Sequence, residues 1–344
     1  MEKLITIKSA IHNMKLLILC PGTIPNSIGD IKCFTDVLNY YLPKSLTLVN
    51  GIDVEVRNIP NDDNPRLKEL FATMPVIEHD VILTLGLRFF SRISKETAWS
   101  LRNRFSGLIC QIHDGTRLDY DPVDITFTIK NDDTRLLDNP KRYTRHKQNN
   151  AYAGWATDFE VNTPQQDANE LRILIDHTNY GDNPVDLTEQ VITEVKRFVE
   201  SEIWRPQYQS VSVRRFDSGR VIDVEFSGQP IQRYDRTATM PFSEITKEHC
   251  AAHVFCVTHP ESVGLVVLET AAAGALPVVP KGFIAQDRLD TVRHVEWSGS
   301  VDWLQVINEI DIERSRAVAA NNTWDAVAQR IHAALQRRIR GEAL

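Results

Sequence analysis

The chain has 344 residues, 42% of them apolar and 25% charged, with a formal net charge of -7. That length predicts two domains more readily than one. The acidic balance excludes nucleic acid as the main partner, because phosphate binding needs a clustered positive field. Five cysteines (Cys20, Cys33, Cys110, Cys250, Cys256) are odd in number and form no CxxC pair, so neither a zinc site nor a disulfide framework is expected and a reducing, cytoplasmic compartment fits. No apolar run approaches the roughly 20 residues of a membrane span, and the N-terminus shows no signal-peptide core.

In chain order, Lys15–Cys20 is a nearly continuous apolar run and reads as a buried strand. Pro21–Asp30 forms a loop containing Gly29, followed by a helix near Ile31–Tyr41. Further strands are expected at Asp53–Ile59, Val81–Leu85, Leu108–Ile112 and Ile125–Ile129, with helices near Arg66–Thr73 and Lys95–Arg104 between several of them. This alternation predicts a doubly wound, parallel sheet. Residues 131–168 turn polar, with Gly154-Trp155 inside, and read as a linker between domains.

A second alternation follows. Leu171–Ile175 reads as a strand and Leu187–Glu202 as an amphipathic helix, then come strands near Ser210–Arg214 and Val221–Phe226 and a helix near Phe242–Ala251. His253–Thr258 is a strand running into His259-Pro260-Glu261-Ser262-Val263-Gly264, then an apolar helix and a strand from Leu276 to Pro280. Ala317–Arg340 reads as helix broken at Asn321-Asn322-Thr323, where Thr323 or Asn322 caps the next turn.

The strand–loop–helix–strand unit around residue 264 carries the chemistry. Glu261 and Glu269 stand eight positions apart, one on each side of a small-residue turn. Glu269 is surrounded by Val266, Val267, Leu268 and Ala271, where a charge is costly unless something polar satisfies it. A vicinal diol, donating two hydrogen bonds to one carboxylate, would do so. The helix start at Gly264 offers unpaired N–H groups and a positive dipole end, suited to an anion, and glycine lets a ligand come close to the backbone.

Taken together, these stretches resemble the GT-B glycosyltransferases, specifically the family 4 type of retaining enzyme. The match runs from His259 through Val279. Asn322-Thr323-Trp324-Asp325-Ala326-Val327-Ala328 resembles that family's closing helix, Met14–Gly29 its opening strand and glycine loop, and Gln111-Ile112-His113-Asp114 its central element. The resemblance implies two Rossmann-like doubly wound parallel-sheet domains facing a central cleft. Residues 1–165 would form the acceptor-side domain, with 322–344 packing back on it, and 166–321 the nucleotide-sugar domain. It implies that Glu261 faces the donor sugar, that Glu269 holds the ribose hydroxyls, and that the backbone of Val263, Gly264 and Leu265 approaches the donor's sugar and diphosphate. Gly29 would lie in the cleft, and His113 would stand near the reacting carbon.

One departure matters. The family supplies an Arg and a Lys to the diphosphate after the first strand of the second domain; here Ile175–Pro184 has neither, and His177 occupies the Arg position. Arg214, Arg215 and Lys281 are the alternative cations. The expected reaction moves a sugar from a nucleotide-diphosphate donor, such as a UDP- or GDP-sugar, to an unknown glycan, lipid or protein acceptor, with retention and no metal or further cofactor. The other classes are a sugar-nucleotide epimerase and a non-catalytic relative that binds a nucleotide, glycan or protein. Arg330, Arg337, Arg338 and Arg340 share a helix with Ile331, Ala334, Leu335 and Ile339. A peripheral membrane role is one reading of this helix, and a packed helix with a basic outer face is preferred.

Overall fold

A computed structural model of the chain describes residues 13–31, 34–61, 64–76, 78–86, 89–113, 123–129, 150–176, 187–217, 220–223, 241–260, 264–284 and 286–344. Two six-stranded sheets organise it. The first contains β1 (Met14–Pro21), β2 (Ile52–Ile59), β3 (Val81–Thr84), β4 (Leu108–His113), β5 (Ile125–Thr128) and β6 (Asn150–Tyr152), in the order β2-β1-β3-β4-β5-β6. All of its pairings are parallel.

Both faces of that sheet are covered, which explains the continuous apolar run in β1. Leu16 and Ile18 belong to one core cluster, Leu17 and Leu19 to the cluster on the opposite face. Helix α1 (Phe34–Thr47) covers the first face. Helices α2 (Asn64–Thr73), α3 (Phe89–Arg92) and α4 (Lys95–Arg102) follow in the chain, and Leu67, Phe71, Phe90 and Leu101 from these three fill the second cluster.

The second sheet runs β12-β11-β10-β7-β8-β9, built from β7 (Glu170–Ile175), β8 (Ser210–Asp217), β9 (Arg220–Asp223), β10 (Val254–Cys256), β11 (Leu276–Pro280) and β12 (Val295–Trp297). Only β9 is antiparallel, as the return arm of a hairpin with β8. The same two-sided burial recurs. Ile173 and Ile175 face one cluster, Leu174 the other, and Phe255 and Val257 lie opposite Val254 and Cys256.

The helices of this half are α5 (Thr188–Ser201), α6 (Phe242–Ala251), α7 (Leu265–Ala272), α8 (Gln286–Leu289), α9 (Trp303–Glu309) and α10 (Ile312–Ala319). The final helix, α11 (Trp324–Ile339), packs on α1, and Trp324, Val327, Ala328, Ile331 and Leu335 lie in the core of the first sheet. At its start the Thr323 hydroxyl accepts from the Ala326 N–H at 3.2 Å. Asn322 turns elsewhere, donating to the Thr291 and Ala319 carbonyls.

Three expectations are corrected. The polar stretch read as linker contains β6, which extends the first sheet beyond β5 through Thr126↔Asn150 to Thr128↔Tyr152; its three half-buried residues (Asn150, Ala151, Tyr152) carry too weak an apolar signal to be read as a strand. Strand β12 and helices α3, α8 and α9 were not anticipated, all being short, and α10 begins at Ile312 where the sequence placed a helix only from Ala317. Arg330 is not part of a basic outer face: its Nε donates to the Ala153 carbonyl at 2.7 Å.

Candidate functional site

In an open parallel sheet, ligands bind beyond the carboxyl ends of the strands where the order reverses. In the second sheet that point lies between β7 and β10, whose register pairs Ile173↔Val254 to Ile175↔Cys256. Asp176 follows β7 directly, and its N–H donates to the Cys256 carbonyl at 2.9 Å. Thr258 and His259 follow β10, both buried. His259 Nδ1 stands 3.8 Å from Asp176 Oδ2 and 3.2 Å from the Thr258 hydroxyl. A polar trio therefore marks the switch point. His177 comes next after Asp176 and lies outside the described residues, as do Glu261 and Val263 after Pro260.

Gly264 caps α7 with φ 68° and ψ 29°, a left-handed conformation that a side chain rarely adopts. An added Cβ there would reach Trp155 Cζ3 at 3.4 Å and Ile284 at 3.5 Å, ordinary contacts, so the backbone angle rather than space selects glycine. Among the described residues no side chain caps the turn, and the first N–H groups of a helix have no partner within the helix itself. Leu265 is half-buried and lines a small apolar cavity together with Leu38, Ile112, Ile129, Trp155 and Trp324, residues drawn from both halves.

Glu269 sits one turn further along α7 and is 5% exposed. Among the described residues no hydrogen bond reaches its carboxyl oxygens, and its closest ionisable partner is His249 of α6, with Nδ1 at 3.6 Å from Oε2. Burial pushes the Glu269 carboxyl up to about 8 and the His249 imidazole down to about 3. Across the cleft from α7, Tyr41 of α1 stacks on Trp324 with centroids 5.5 Å apart and planes at 3°. Burial raises the Tyr41 hydroxyl, and the carboxylates of Asp158 and, less strongly, Glu269 add to that effect. The Glu269 carboxyl thus stands where the two halves meet.

The first half offers two candidates. The backbone of His113 ends β4, at the carboxyl edge of the first sheet; its side chain lies outside the described residues. Gly29 sits in a short 3₁₀ turn, Ile28–Asp30, that packs against α6 of the second half. Asp30 closes that turn by accepting from the Ser27 N–H and hydroxyl at 3.0 and 2.9 Å. An added Cβ at Gly29 would meet only the Ser27 hydroxyl, at 3.6 Å, and its φ is not left-handed, so nothing in the fold requires glycine there.

Of the alternative cations, Arg214 is held by Glu248 in a two-pronged bond of 2.5 and 2.6 Å, Arg215 is buried, and Lys281 is exposed. The sequence pattern missed a buried cation nearer the cleft. Arg288 of α8 is 1% exposed, donates from Nη2 to the Ile129 carbonyl beyond β5, and lies 4.9 Å from the Trp155 ring. Its Nε and Nη1 have no hydrogen-bond partner among the described residues, and burial lowers its pKa. Nothing around a single arginine in a four-residue helix signals this role. Trp155, which the polar stretch did single out, ties the crossover in place through Nε1 to the Thr291 hydroxyl at 3.1 Å. Among the described residues no group of three His, Cys, Asp or Glu side chains gathers as a metal site.

No protein-family model matches this chain, and no curated protein does. Solved structures do match. HepE from Anabaena, in complex with UDP and glucose, aligns with a TM-score of 0.51 at 10% identity, covering 94% of this chain and 99% of that one. The same protein with UDP gives 0.50 at 11% identity, over 94% and 100%. Sucrose-phosphate synthase from Thermosynechococcus elongatus gives 0.49 at 11% identity, over 96% and 100%. At such identities the likeness is one of architecture. The chain has the GT-B fold: two Rossmann-like, doubly wound α/β halves facing a cleft.

Proposed function

We propose that this chain is a glycosyltransferase that takes a sugar from a nucleotide-diphosphate donor and passes it to an acceptor hydroxyl with retention of configuration. The observation that carries the reading is Glu269: a buried carboxyl without a hydrogen bond from the described residues, one turn inside a glycine-started helix beside the switch point. Such a carboxyl needs donors, and the two hydroxyls of a ribose supply them. The first N–H groups of α7 suit the diphosphate. HepE, solved with UDP, shares the fold and adds a general argument for a nucleotide ligand.

In this reading residues 166–321 hold the donor, and residues 1–165 with 322–344 hold the acceptor. Glu261 orients the donor hexose, Val263, Gly264 and Leu265 approach it with their backbone, and His113 and Gly29 line the opposite wall. His177 replaces the family's arginine beside the phosphates. The bond from the anomeric carbon to the diphosphate oxygen breaks, and the acceptor oxygen bonds to that carbon on the same face. The acceptor's proton passes to the departing oxygen, so no separate base is required, and the protein's part is to stabilise the separating charges. Closure of the halves excludes water that would otherwise hydrolyse the donor.

A second reading keeps a specific support: Ile175–Pro184 contains neither the arginine nor the lysine that the family supplies to the diphosphate, and Arg214 and Arg330 are each bonded to the protein itself. That favours a non-catalytic nucleotide or glycan binder. An epimerase would turn over donor without acceptor. The test is calorimetric titration of UDP, GDP and ADP into the wild type and Glu269→Ala. One nucleotide should bind and lose about tenfold or more in affinity in the variant, as expected for charge-assisted hydrogen bonds. Unchanged affinity in the variant removes Glu269 from the site, and no binding at all removes the transferase reading.

A further inference from the structure

Behind Glu269 stands a residue for which neither the transfer chemistry nor the core has an evident use. His249 lies in the last turn of α6 and is 1% exposed. Phe216 of β8 and Phe255 of β10 meet its ring edge-on at 5.8 and 6.2 Å. Neither ring nitrogen has a hydrogen-bond partner among the described residues. A plain core position would take a phenylalanine here without desolvating two polar atoms. The side chain that Nδ1 approaches is Glu269, at 3.6 Å, a few tenths of an ångström beyond hydrogen-bond range.

We propose that His249 is the positioning residue of the Glu269 site: its Nδ1–H closes onto the carboxylate from behind when a vicinal diol engages that carboxylate from the cleft. The inference rests on the nucleotide reading of Glu269. A carboxylate has about four lone-pair positions, enough for two ribose hydroxyls and one imidazole N–H. While Glu269 keeps its proton the pair is left open, each partner uncharged and buried; ionisation of the carboxyl, which a bound diol favours, closes it.

The surroundings leave the two groups to each other. Glu248, next to His249 in the chain, is held by Arg214 of β8. From β8 and β10 the rings of Phe216 and Phe255 are the facing groups, and on the cleft side Tyr41 of α1 is the group electrostatically linked to Glu269, with Asp158 acting on Tyr41 in turn. Burial keeps the imidazole neutral throughout the working range, so it acts as a fixed donor and not as an acid. Binding of a diol favours the ionised carboxyl, so nucleotide affinity should rise with pH as Glu269 loses its proton.

The experiment measures affinity for UDP, GDP and ADP from pH 5.5 to 9 in wild type, His249→Phe, His249→Met and His249→Asn, with folding checked by circular dichroism. Phe and Met remove the N–H while filling the space; Asn can place an amide N–H near the position of Nδ1. Expected are a loss of about tenfold in affinity and an upward shift of the pH midpoint in Phe or Met, both reversed in Asn. Equal affinity and an unmoved midpoint in whichever of Phe and Met folds overturn the proposal, as does failure of Asn to restore either. A wild type that binds no nucleotide sinks the nucleotide reading instead. The pair is then judged without ligand, by the infrared carbonyl band of the protonated Glu269 carboxyl, assigned through its loss in Glu269→Gln. Its titration midpoint should be higher in His249→Phe than in wild type, and coincident midpoints overturn the pairing.

Discussion

Glu269 and His249 give the chain a pH signature that can be worked out residue by residue. Burial raises the Glu269 carboxyl from 4.5 to about 8, so the folded protein holds a proton there that the unfolded chain releases. Stability from this group is present below pH 4.5 and is lost as pH rises to about 8. His249 acts oppositely: its imidazole falls from 6.5 to about 3, so the unfolded chain gains a proton first, and stability is lost as pH falls from 6.5 to about 3. Between the two unfolded values the slopes, each about 1.4 kcal/mol per pH unit, cancel. The pair therefore predicts a plateau between pH 4.5 and 6.5 and a decline from there to about 8. Urea unfolding at several pH values should show that decline in wild type and a flatter curve in Glu269→Gln; equal slopes would remove Glu269 as its source.

At the scale of the element, α7 is bounded by two glycines that do different things. Gly264 has φ 68°, and a Cβ there would meet only ordinary contacts, so Gly264→Ala should cost about 1–2 kcal/mol of backbone strain. Gly274, beyond the helix, has φ 96°, and its Cβ would lie 2.4 Å from Ile312 Cγ2. Overpacking adds about 1–3 kcal/mol to the strain, so Gly274→Ala should be the more damaging of the two. Denaturant midpoints settle the order. Gly264→Ala should in addition weaken nucleotide binding, because it disturbs the turn that presents the first N–H groups of α7; Gly274→Ala should not, wherever it still folds. The reverse ranking would mean that the close approach of α10 at Ile312 is soft.

For the molecule as a whole, the last helix joins the two halves. Leaving the second half after α10, the chain returns through a parallel bridge, Thr157↔Thr323, and buries Trp324, Val327, Ile331 and Leu335 in the first sheet's core. Arg330 clamps the Ala153 carbonyl, and Gly154 must be glycine there, since its φ is 81° and a Cβ would sit 2.6 Å from Arg330 Nη2. Four large apolar side chains at about 1.5–3 kcal/mol each match a typical domain's whole stability of about 5–15 kcal/mol. A chain ending at Asn322 should therefore lose cooperative unfolding of its first half, read by near-ultraviolet circular dichroism in urea. A truncated chain that melts as sharply as the full one would show that this helix only decorates the core.

What the sequence determined by itself was the set of strands buried on both faces and the glycine-started helix after β10, because continuous apolar runs and a lone acid in an apolar helix are local signals. Lys15–Cys20, Leu171–Ile175 and Leu276–Pro280 all fall on observed strands for that reason. Strand β6 escaped because an edge strand of three half-buried residues has no periodicity to read. Only the tertiary structure decided the partners. His249 and Glu269 lie on consecutive helices of one half, Arg288 meets the Ile129 carbonyl across 159 positions, and Tyr41 meets Trp324 from the far end of the chain. No local pattern encodes those meetings, because they are set by how two sheets and a returning helix pack around one cleft.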